Sequence, residues 1–419
     1  MKKYKIIILV CIFTLLGIFI GRVTKANNVY EENENNQIKK HVDTISMMLE
    51  TDMKSGNYEM TTRETWPTEG YVFNSTLSKC ENGGELSWDD ENKRVLMSGN
   101  VSDKCYVYFD VELKTLVDYI KQQYTGTQGE NGIYYHDSTL ANGAGDNSYR
   151  YAGSSETTNN YVCFGSENET CPEDNLYRII GVFENHVKLI KYDYATKELL
   201  GEDGDYKGKY TYEKTNYKGN NYDNVATYYW NKSNNTWSNS NLNKVNLNTN
   251  FITNIGEEWA NKIATTIWKV GGNTWSNIAY SNAKNVYRYE IIYPATNTTD
   301  SAKEYTAKIG LMYVSDYGFA AEPSAWTTTL YNYEGSVNDS TIKSLNWMYM
   351  GLHEWSICRD ASDSYRTIDI NATGRVGNPT ANYTDDYNGG GVRPTFYLNS
   401  DVIYKSGTGK SSDPIRIEI

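Results

Sequence analysis

The N-terminal segment, residues 1–26, constrains this chain most, because it decides in which compartment the rest folds. Three lysines precede an uncharged apolar run from Ile6 to Gly21, and polar sequence follows. As a helix this run spans roughly 24 Å, which is shorter than the roughly 30 Å hydrocarbon core of a bilayer but longer than most signal-peptide cores. The pattern therefore predicts that everything after it works outside the cytoplasm.

Two outcomes stay open for this segment. Cleavage after Ala26 would secrete the protein. However, Lys25 separates Ala26 from Thr24, and these two residues are not the pair of small alanines that signal peptidase prefers. Without cleavage the segment is a membrane helix. Its length favours the anchor, so we expect a single-pass protein of the cell membrane with an extracellular C-terminal part; secretion is the alternative. The membrane is then a partner, contacted through the N-terminal helix.

The charge balance excludes one large class of partner. The formal net charge is −12, with no basic stripe along the chain. A phosphate backbone would be repelled, so we expect no nucleic acid binding. Hydrophobic residues make up only 39% of the chain while tyrosine reaches 38 residues. Aromatic side chains must therefore supply much of the burial that aliphatic side chains usually give.

Five cysteines follow the apolar run, and four of them pair naturally in an exported protein. Cys80 and Cys105 flank a β-rich stretch, and Cys163 and Cys171 flank a short loop. Local bridges are therefore the simplest of the three possible connectivities. Cys358 is left over, either buried and inert or available to a partner. The cysteines do not form the closely spaced Cys-x-x-Cys pairs of a zinc site, and the sequence predicts no metal and no cofactor.

Hydrophobic periodicity divides the chain into five segments. They are the signal or anchor segment 1–26, a helical stalk 27–66, a small disulfide-stapled β domain 67–111, a helix and linker 112–147, and a large α+β domain 148–419. The stalk is predicted from apolar residues three and four apart, namely Ile38, Val42, Ile45 and Leu49. Leu113, Val117 and Ile120 predict the short helix.

Within the large domain, residues 176–183 and 187–192 predict a β-hairpin. A spacing of four from Ile255 to Ile267 predicts a helix that ends at Gly271. Pro394 implies that the strand at 391–398 lies at a sheet edge or begins there. The pentapeptide Asn-Thr-Trp-Ser-Asn occurs at 235–239 and at 273–277, and we interpret this duplication as biased composition.

Four stretches resemble a family of surface proteins of unknown function from low-GC Gram-positive bacteria. They are DNLYRIIGVF (174–183), KLIK (188–191), GLHEWSICR (351–359) and GVRPTFYL (391–398). The resemblance covers roughly residues 145–419, and it implies a membrane segment before the domain. The order of the last motifs is further similar to the C-type-lectin-like fold, which includes the formylglycine-generating enzymes and their non-catalytic relatives.

That resemblance carries over no catalytic or calcium-binding residues. The calcium motifs of true C-type lectins are absent; the nearest strings are Glu322-Pro-Ser and Asn346-Trp-Met. Formylglycine chemistry needs a cysteine pair, and only Cys358 lies in the matching half. His353 and Cys358 are five residues apart, which places them on opposite faces of a strand. The sequence therefore predicts no catalytic residue.

Exposed aromatic residues are the one feature that favours binding. Trp326, Trp347 and Trp355 cluster late in the domain, and either they stack on a ligand or, in a chain poor in leucine, they form the core. Candidate ligand-binding residues are these three with Asp385, Asp386 and Arg393. The expected function is non-enzymatic binding or adhesion at the cell surface, with a glycan or a surface protein as ligand. An extracellular enzyme acting on envelope polymers and a structural component of a surface assembly are the alternatives.

Overall fold

The computed structural model describes residues 30–32, 38–40, 44–98, 103–211, 217, 225–294, 303–333, 345–382 and 389–419. The chain forms two compact units, Met1–Leu113 and Lys114–Ile419. Across the described ranges, none of the helices has the length and apolarity that a membrane span needs. The predicted anchor, 1–26, lies outside these ranges.

The first unit is built from strands. They are β1 (Tyr30–Glu32), β2 (Ile38–Lys40), β3 (Thr44–Glu50), β4 (Tyr58–Met60), β5 (Tyr71–Phe73), β6 (Lys79–Cys80), β7 (Glu85–Asp89), β8 (Arg94–Ser98) and β9 (Lys104–Val111). One sheet has the order β4-β3-β9-β5, and β6 also pairs with β9. Strands β3 and β9 are parallel, whereas the other pairs of this unit are antiparallel.

The core of this unit alternates along β9. Cys105, Val107 and Phe109 are fully buried, as expected for a strand with one face inward. Cys80 stands directly opposite Cys105 in the β6–β9 pair, and the two form a disulfide. The predicted bridge is therefore confirmed.

The predicted helical stalk differs from the structure where the structure describes it. Residues 44–50 form β3, and their apolar residues Ile45, Met47 and Leu49 pack into the same core cluster. These residues lie two apart, so the segment also satisfies the period of a strand. The parallel partner β9 decides between the two periods, because a helix here would leave Val107 and Phe109 uncovered.

The second unit is a mixed α+β structure that is mostly strands. Its strands are β10 (Ile133–His136), β11 (Ser148–Tyr151), β12 (Tyr161–Cys163), β13 (Leu176–Phe183), β14 (His186–Lys191), β15 (Tyr206–Lys209), β16 (Ala226–Tyr228), β17 (Thr266–Lys269), β18 (Glu304–Ala307), β19 (Ile309–Gly310), β20 (Glu354–Arg359), β21 (Thr367–Ile370), β22 (Val376–Gly377), β23 (Thr395–Tyr397), β24 (Tyr404–Ser406) and β25 (Arg416–Ile417).

Its helices are short. They are α1 (Leu116–Gln123), α2 (Lys197–Leu200), α3 (Ile252–Asn254), α4 (Glu257–Asn261), α5 (Trp275–Ala279), α6 (Ala283–Tyr287) and α7 (Val314–Ala320). The segments Leu242–Phe251 and Arg288–Ile292 are wound as π-helix. Single 3₁₀ turns include Glu130–Gly132, Trp237–Asn239, Pro323–Ala325 and Leu330–Asn332.

An antiparallel sheet of seven strands organises this unit. Its order is β10-β11-β13-β14-β23-β19, and β12 also pairs with β13. The predicted hairpin is confirmed as β13 and β14, and the predicted bridge between Cys163 and Cys171 is confirmed as well. The segment predicted as a linker instead contributes β10, whose Ile133 is fully buried.

Two further predicted elements, the helix over 251–271 and the strand at Pro394, can be compared with the structure. The predicted helix over 251–271 ends at Asn261, after a break at Gly256, which has φ 88°. Ile267 then lies in β17 and is 56% exposed, so the spacing of four did not mark one continuous face. Pro394 stands just before β23, which pairs with β14 on one side and with β19 on the other. The second alternative, a strand start, is therefore the correct one.

Charged residues are buried where α7 meets the sheet. The Lys188 ammonium lies 2.5 Å from Asp316, and the Arg150 guanidinium lies 2.6 Å from Asp146. Arg150 also contacts the faces of three aromatic rings, Phe183, Tyr287 and Phe319. Because buried charges are costly unless paired, this cluster fixes how α7 sits on the sheet.

Candidate ligand-binding surface

The three tryptophans singled out in the sequence belong to the core. Trp326, Trp347 and Trp355 are each at most 1% exposed. Each indole N–H donates to a backbone carbonyl, at 2.8 to 2.9 Å. A ring enclosed in this way cannot stack on a ligand, so these residues are not a binding surface.

Arg393 is also internal. Its guanidinium lies 2.7 Å from the Glu354 carboxylate and donates to the carbonyl of Met348. Burial raises the pKa of Glu354, while the Arg393 charge opposes that rise. Arg393 therefore holds the segment after Gly391 against β20. Asp385 and Asp386 lie outside the described residues.

A different group of aromatic rings faces outward. Of the eight tryptophans after residue 114, all described, seven are buried and only Trp275 is partly exposed. Beside it lie Tyr280, which is 53% exposed, and Tyr331, which is half-buried. We call Trp275, Tyr280 and Tyr331 the aromatic surface.

Local structure explains why these rings meet. Thr274 caps the N-terminus of α5, so Trp275 is the first residue of the helix. Tyr280 is the residue at its C-terminal cap. The 3₁₀ turn Leu330–Asn332 is tied to the end of α5 by a hydrogen bond from the Leu330 N–H to the carbonyl of Ser281. That bond places Tyr331 beside Tyr280.

The rings form a corner rather than a stack. The centroids of Tyr280 and Tyr331 are 4.8 Å apart, and both lie 6.1 to 6.2 Å from the centroid of Trp275. Trp275 is inclined at 68° to Tyr280 and at 77° to Tyr331. Two nearly perpendicular walls of aromatic carbon are thus presented together, which gives a ligand two faces to contact.

Polar groups border this corner. The Arg375 guanidinium lies 5.0 Å from the Tyr331 ring centroid and donates to the Tyr331 hydroxyl at 3.5 Å. Within the described part of the chain, the Trp275 indole N–H and the Tyr280 hydroxyl make no hydrogen bond. These groups are therefore positioned to bond the hydroxyls of a ligand that packs on the rings.

A second arrangement of interest is the pair of His353 and Asp369. The Nδ1 atom of His353 lies 2.9 Å from Oδ2 of Asp369, and the two side chains are 13% and 2% exposed. Strands β20 and β21 create this pair, because Trp355 is directly opposite Asp369 and His353 lies two residues before Trp355 on the same face. Local spacing relates His353 only to Cys358, a buried free cysteine, and gives no sign of Asp369.

Among the residues that the structure describes, one group of side chains has the spacing of a metal site. The ligand atoms of Cys80, Asp103 and Cys105 lie within 4.8 Å of one another. However, the two cysteines form the disulfide, so their thiolates are not available. The Asp103 carboxylate accepts backbone N–H groups from Asn82, Gly84 and Lys104. This group stabilises a turn, and it does not hold a metal while the disulfide is formed.

Comparison with protein-family models, with curated proteins and with solved structures found no match for this chain.

Proposed function

We propose that this chain is an exported protein of the cell surface that binds glycans through the aromatic surface, without catalysing a reaction. The apolar run after the N-terminal lysines supports export, with membrane anchoring favoured over secretion. Two disulfides fit an oxidising compartment. A C-type-lectin-like arrangement of the second unit is part of the same proposal, and it rests on the sequence resemblance alone.

The observation that carries the proposal is the exposure of Trp275 together with two tyrosines. Large aromatic side chains contribute much buried area to a core, and all seven other tryptophans of this unit are buried. Sugar rings present C–H faces that pack on aromatic carbon, and their hydroxyls need donors and acceptors at the border. The aromatic surface and Arg375 provide both kinds of contact.

The test is binding of the full-length chain to an array of glycans and cell-wall polymers, before and after Trp275→Ala and Tyr280→Ala. We expect saturable binding by the unaltered chain. We expect each substitution to weaken it at least about tenfold, or about 1.4 kcal/mol, the loss typical of an aromatic anchor. Chelation of calcium should change nothing.

Tyr365→Ala is the matched control, since Tyr365 is 60% exposed but lies outside the aromatic surface. It should leave binding unchanged. A folded protein that binds no glycan would refute the glycan assignment and direct the search to protein ligands, for which exposed aromatic residues are also anchors. Equal losses with Tyr365→Ala and Tyr280→Ala would show that the contacts are nonspecific.

The pair of His353 and Asp369 favours a second candidate function, hydrolysis of an envelope polymer. A carboxylate that is hydrogen-bonded to Nδ1 orients a histidine so that it can act as a general base. Here the test is release of soluble fragments from purified cell wall, with His353→Gln and Asp369→Asn as variants. Release that both variants abolish would favour the enzyme. Unchanged polymer would exclude this candidate.

A further inference from the structure

A polar cleft lies apart from the aromatic surface, at the end of the main sheet where β10 begins. Its cavity is about 560 Å³, within the range of small-ligand sites. The lining residues come from the turn before β10 and from β10 itself, from the segment after β11, and from the 3₁₀ turn with the residue before it: Gly129, Asn131, Gly132, Tyr134, Ala152, Gly153, Thr157, Glu322, Pro323 and Ser324. The cleft is therefore built from three separate parts of the chain.

Backbone hydrogen bonds fix those walls. The Ala152 N–H donates to the carbonyl of Gly132, and the Gly153 N–H donates to the carbonyl of Ala320. Gly153 has φ 125°, a conformation that a residue with a Cβ rarely adopts. A Cβ at this position would also lie only 3.2 Å from the hydroxyl oxygen of Thr158, so glycine fits the turn best.

The charge of the cleft has one sign. Among the described residues that line it, Glu322 is the only charged side chain, and neither its carboxylate nor the Tyr134 hydroxyl makes a hydrogen bond to another described residue. Burial raises the pKa of Tyr134, and the nearby charge of Glu322 adds to the rise. The phenol therefore stays neutral and can accept a hydrogen bond.

A third acceptor completes the set. The Asn131 amide donates its N–H to the carbonyl of Gln123 at 2.9 Å, which leaves its own carbonyl oxygen as an acceptor. Asn131 has φ 60°, so the left-handed backbone of this turn brings it to the cleft wall. A carboxylate, a phenol and an amide oxygen together match the three N–H donors of a protonated primary amine.

We propose that this cleft binds the primary ammonium group of an amino sugar. An anionic ligand would face Glu322 without any cation to offset it. A neutral sugar would leave the carboxylate without a charged partner, whereas an ammonium supplies both the charge and the donors. Ser324 and Thr157 also line the cleft and add hydroxyl groups to its wall. This site stands on its own residues and does not depend on the aromatic surface.

The test is titration of the full-length chain, in a detergent without a sugar head group and in an amine-free phosphate buffer. The probes are D-glucosamine, D-glucose and N-acetyl-D-glucosamine, followed by calorimetry or saturation-transfer NMR. We expect glucosamine to bind at least tenfold more tightly than either neutral sugar, and we expect added salt to weaken it. Equal affinity for the three sugars, or no binding of glucosamine, would overturn the proposal.

Variants assign the effect to the cleft. Glu322→Gln keeps the shape and removes the charge, so the preference for glucosamine should disappear. Glu257→Gln, at an exposed position in α4, changes the net charge equally and should leave it intact. Should Glu322→Gln fail to fold, Tyr134→Phe removes one acceptor and should weaken glucosamine severalfold. Retention of the preference in Glu322→Gln, unchanged affinity for glucosamine in Tyr134→Phe, or loss of the preference in Trp275→Ala would contradict the assignment.

Discussion

Glu290 provides the sharpest test of how the second unit is held together. It is 2% exposed, and its two carboxyl oxygens accept the N–H groups of Val314 and Ser315 at 2.9 and 2.8 Å. These are the first donors of α7, so the carboxyl caps a helix that is itself buried. Burial raises the pKa of Glu290 to about 7, although the hydrogen bonds from Ser315 and Val314 oppose the rise.

The consequence for stability follows from linkage. Because the folded pKa of about 7 exceeds the ordinary value of 4.5, the folded state holds this proton more tightly than the unfolded chain does. The contribution of Glu290 to the free energy of unfolding is therefore fully present below pH 4.5 and is lost as the pH rises to about 7. The gap between the two pKa values corresponds to about 3 kcal/mol.

The effect can be tested with the variant Glu290→Gln, because the glutamine side chain resembles the protonated acid in shape and charge. We expect the variant to match the unaltered chain within about 1 kcal/mol near pH 5, since one cap hydrogen bond changes. At pH 8 the variant should be more stable by about 2 to 3 kcal/mol, because only the unaltered chain then holds a buried carboxylate.

The assay is urea unfolding at intervals from pH 5 to pH 8, followed by tryptophan fluorescence. Other titrating groups are common to both proteins and cancel in the difference. Glu258→Gln, in the exposed part of α4, should leave the pH dependence unaltered. Parallel stability curves for Glu290→Gln and the unaltered chain would contradict this prediction, because they would show that the Glu290 carboxyl has the same pKa in the folded and unfolded states.

Three other predictions concern stability. Replacing Cys163 and Cys171 by serine opens a bridge of sequence separation 8, and the midpoint of thermal unfolding should drop by an amount equivalent to about 2 to 3 kcal/mol. Lys188→Met should lower the free energy of unfolding by about 3 to 5 kcal/mol, because the Asp316 carboxylate loses the nearer of its two buried cations and keeps only Arg150, at 3.8 Å. Adding Asp316→Asn should recover part of this loss, and simple additivity in urea unfolding would contradict the pairing. Trp326→Phe removes the hydrogen bond to the carbonyl of Ala321 and leaves a cavity, so it should cost about 2 kcal/mol or more by calorimetry, whereas a surface tryptophan would show almost no effect.

Elements whose partners are close in sequence could be predicted from the sequence. The hairpin of β13 and β14 joins neighbouring segments, and both disulfides connect cysteines within the same unit. The predicted short helix is α1, in which Val117 and Ile120 are buried as the helical period requires, although Leu113 precedes the helix and is 45% exposed. For these elements, the local pattern and the local partner agree.

Elements decided by distant partners could not be predicted in this way. The segment at Ile45 fits two periods, and only β9, far along the chain, makes it a strand. Ile133 lies in a sequence rich in glycine and asparagine, yet β11 draws it into the main sheet. The pair of His353 and Asp369 likewise depends on the register of β20 with β21, which no single segment specifies.

The aromatic surface shows the same limit most directly, because the chain contains its own control. The pentapeptide Asn-Thr-Trp-Ser-Asn occurs twice, and in both copies the threonine precedes a helical turn that begins at the tryptophan. Trp237 of the first copy is 1% exposed and packs on Trp230, whereas Trp275 of the second is partly exposed beside Tyr280. Identical local sequence thus gives similar local structure and opposite burial. Exposure is set by what the rest of the fold places over each ring, so an exposed tryptophan in this chain is recognised by its surroundings and not by its motif.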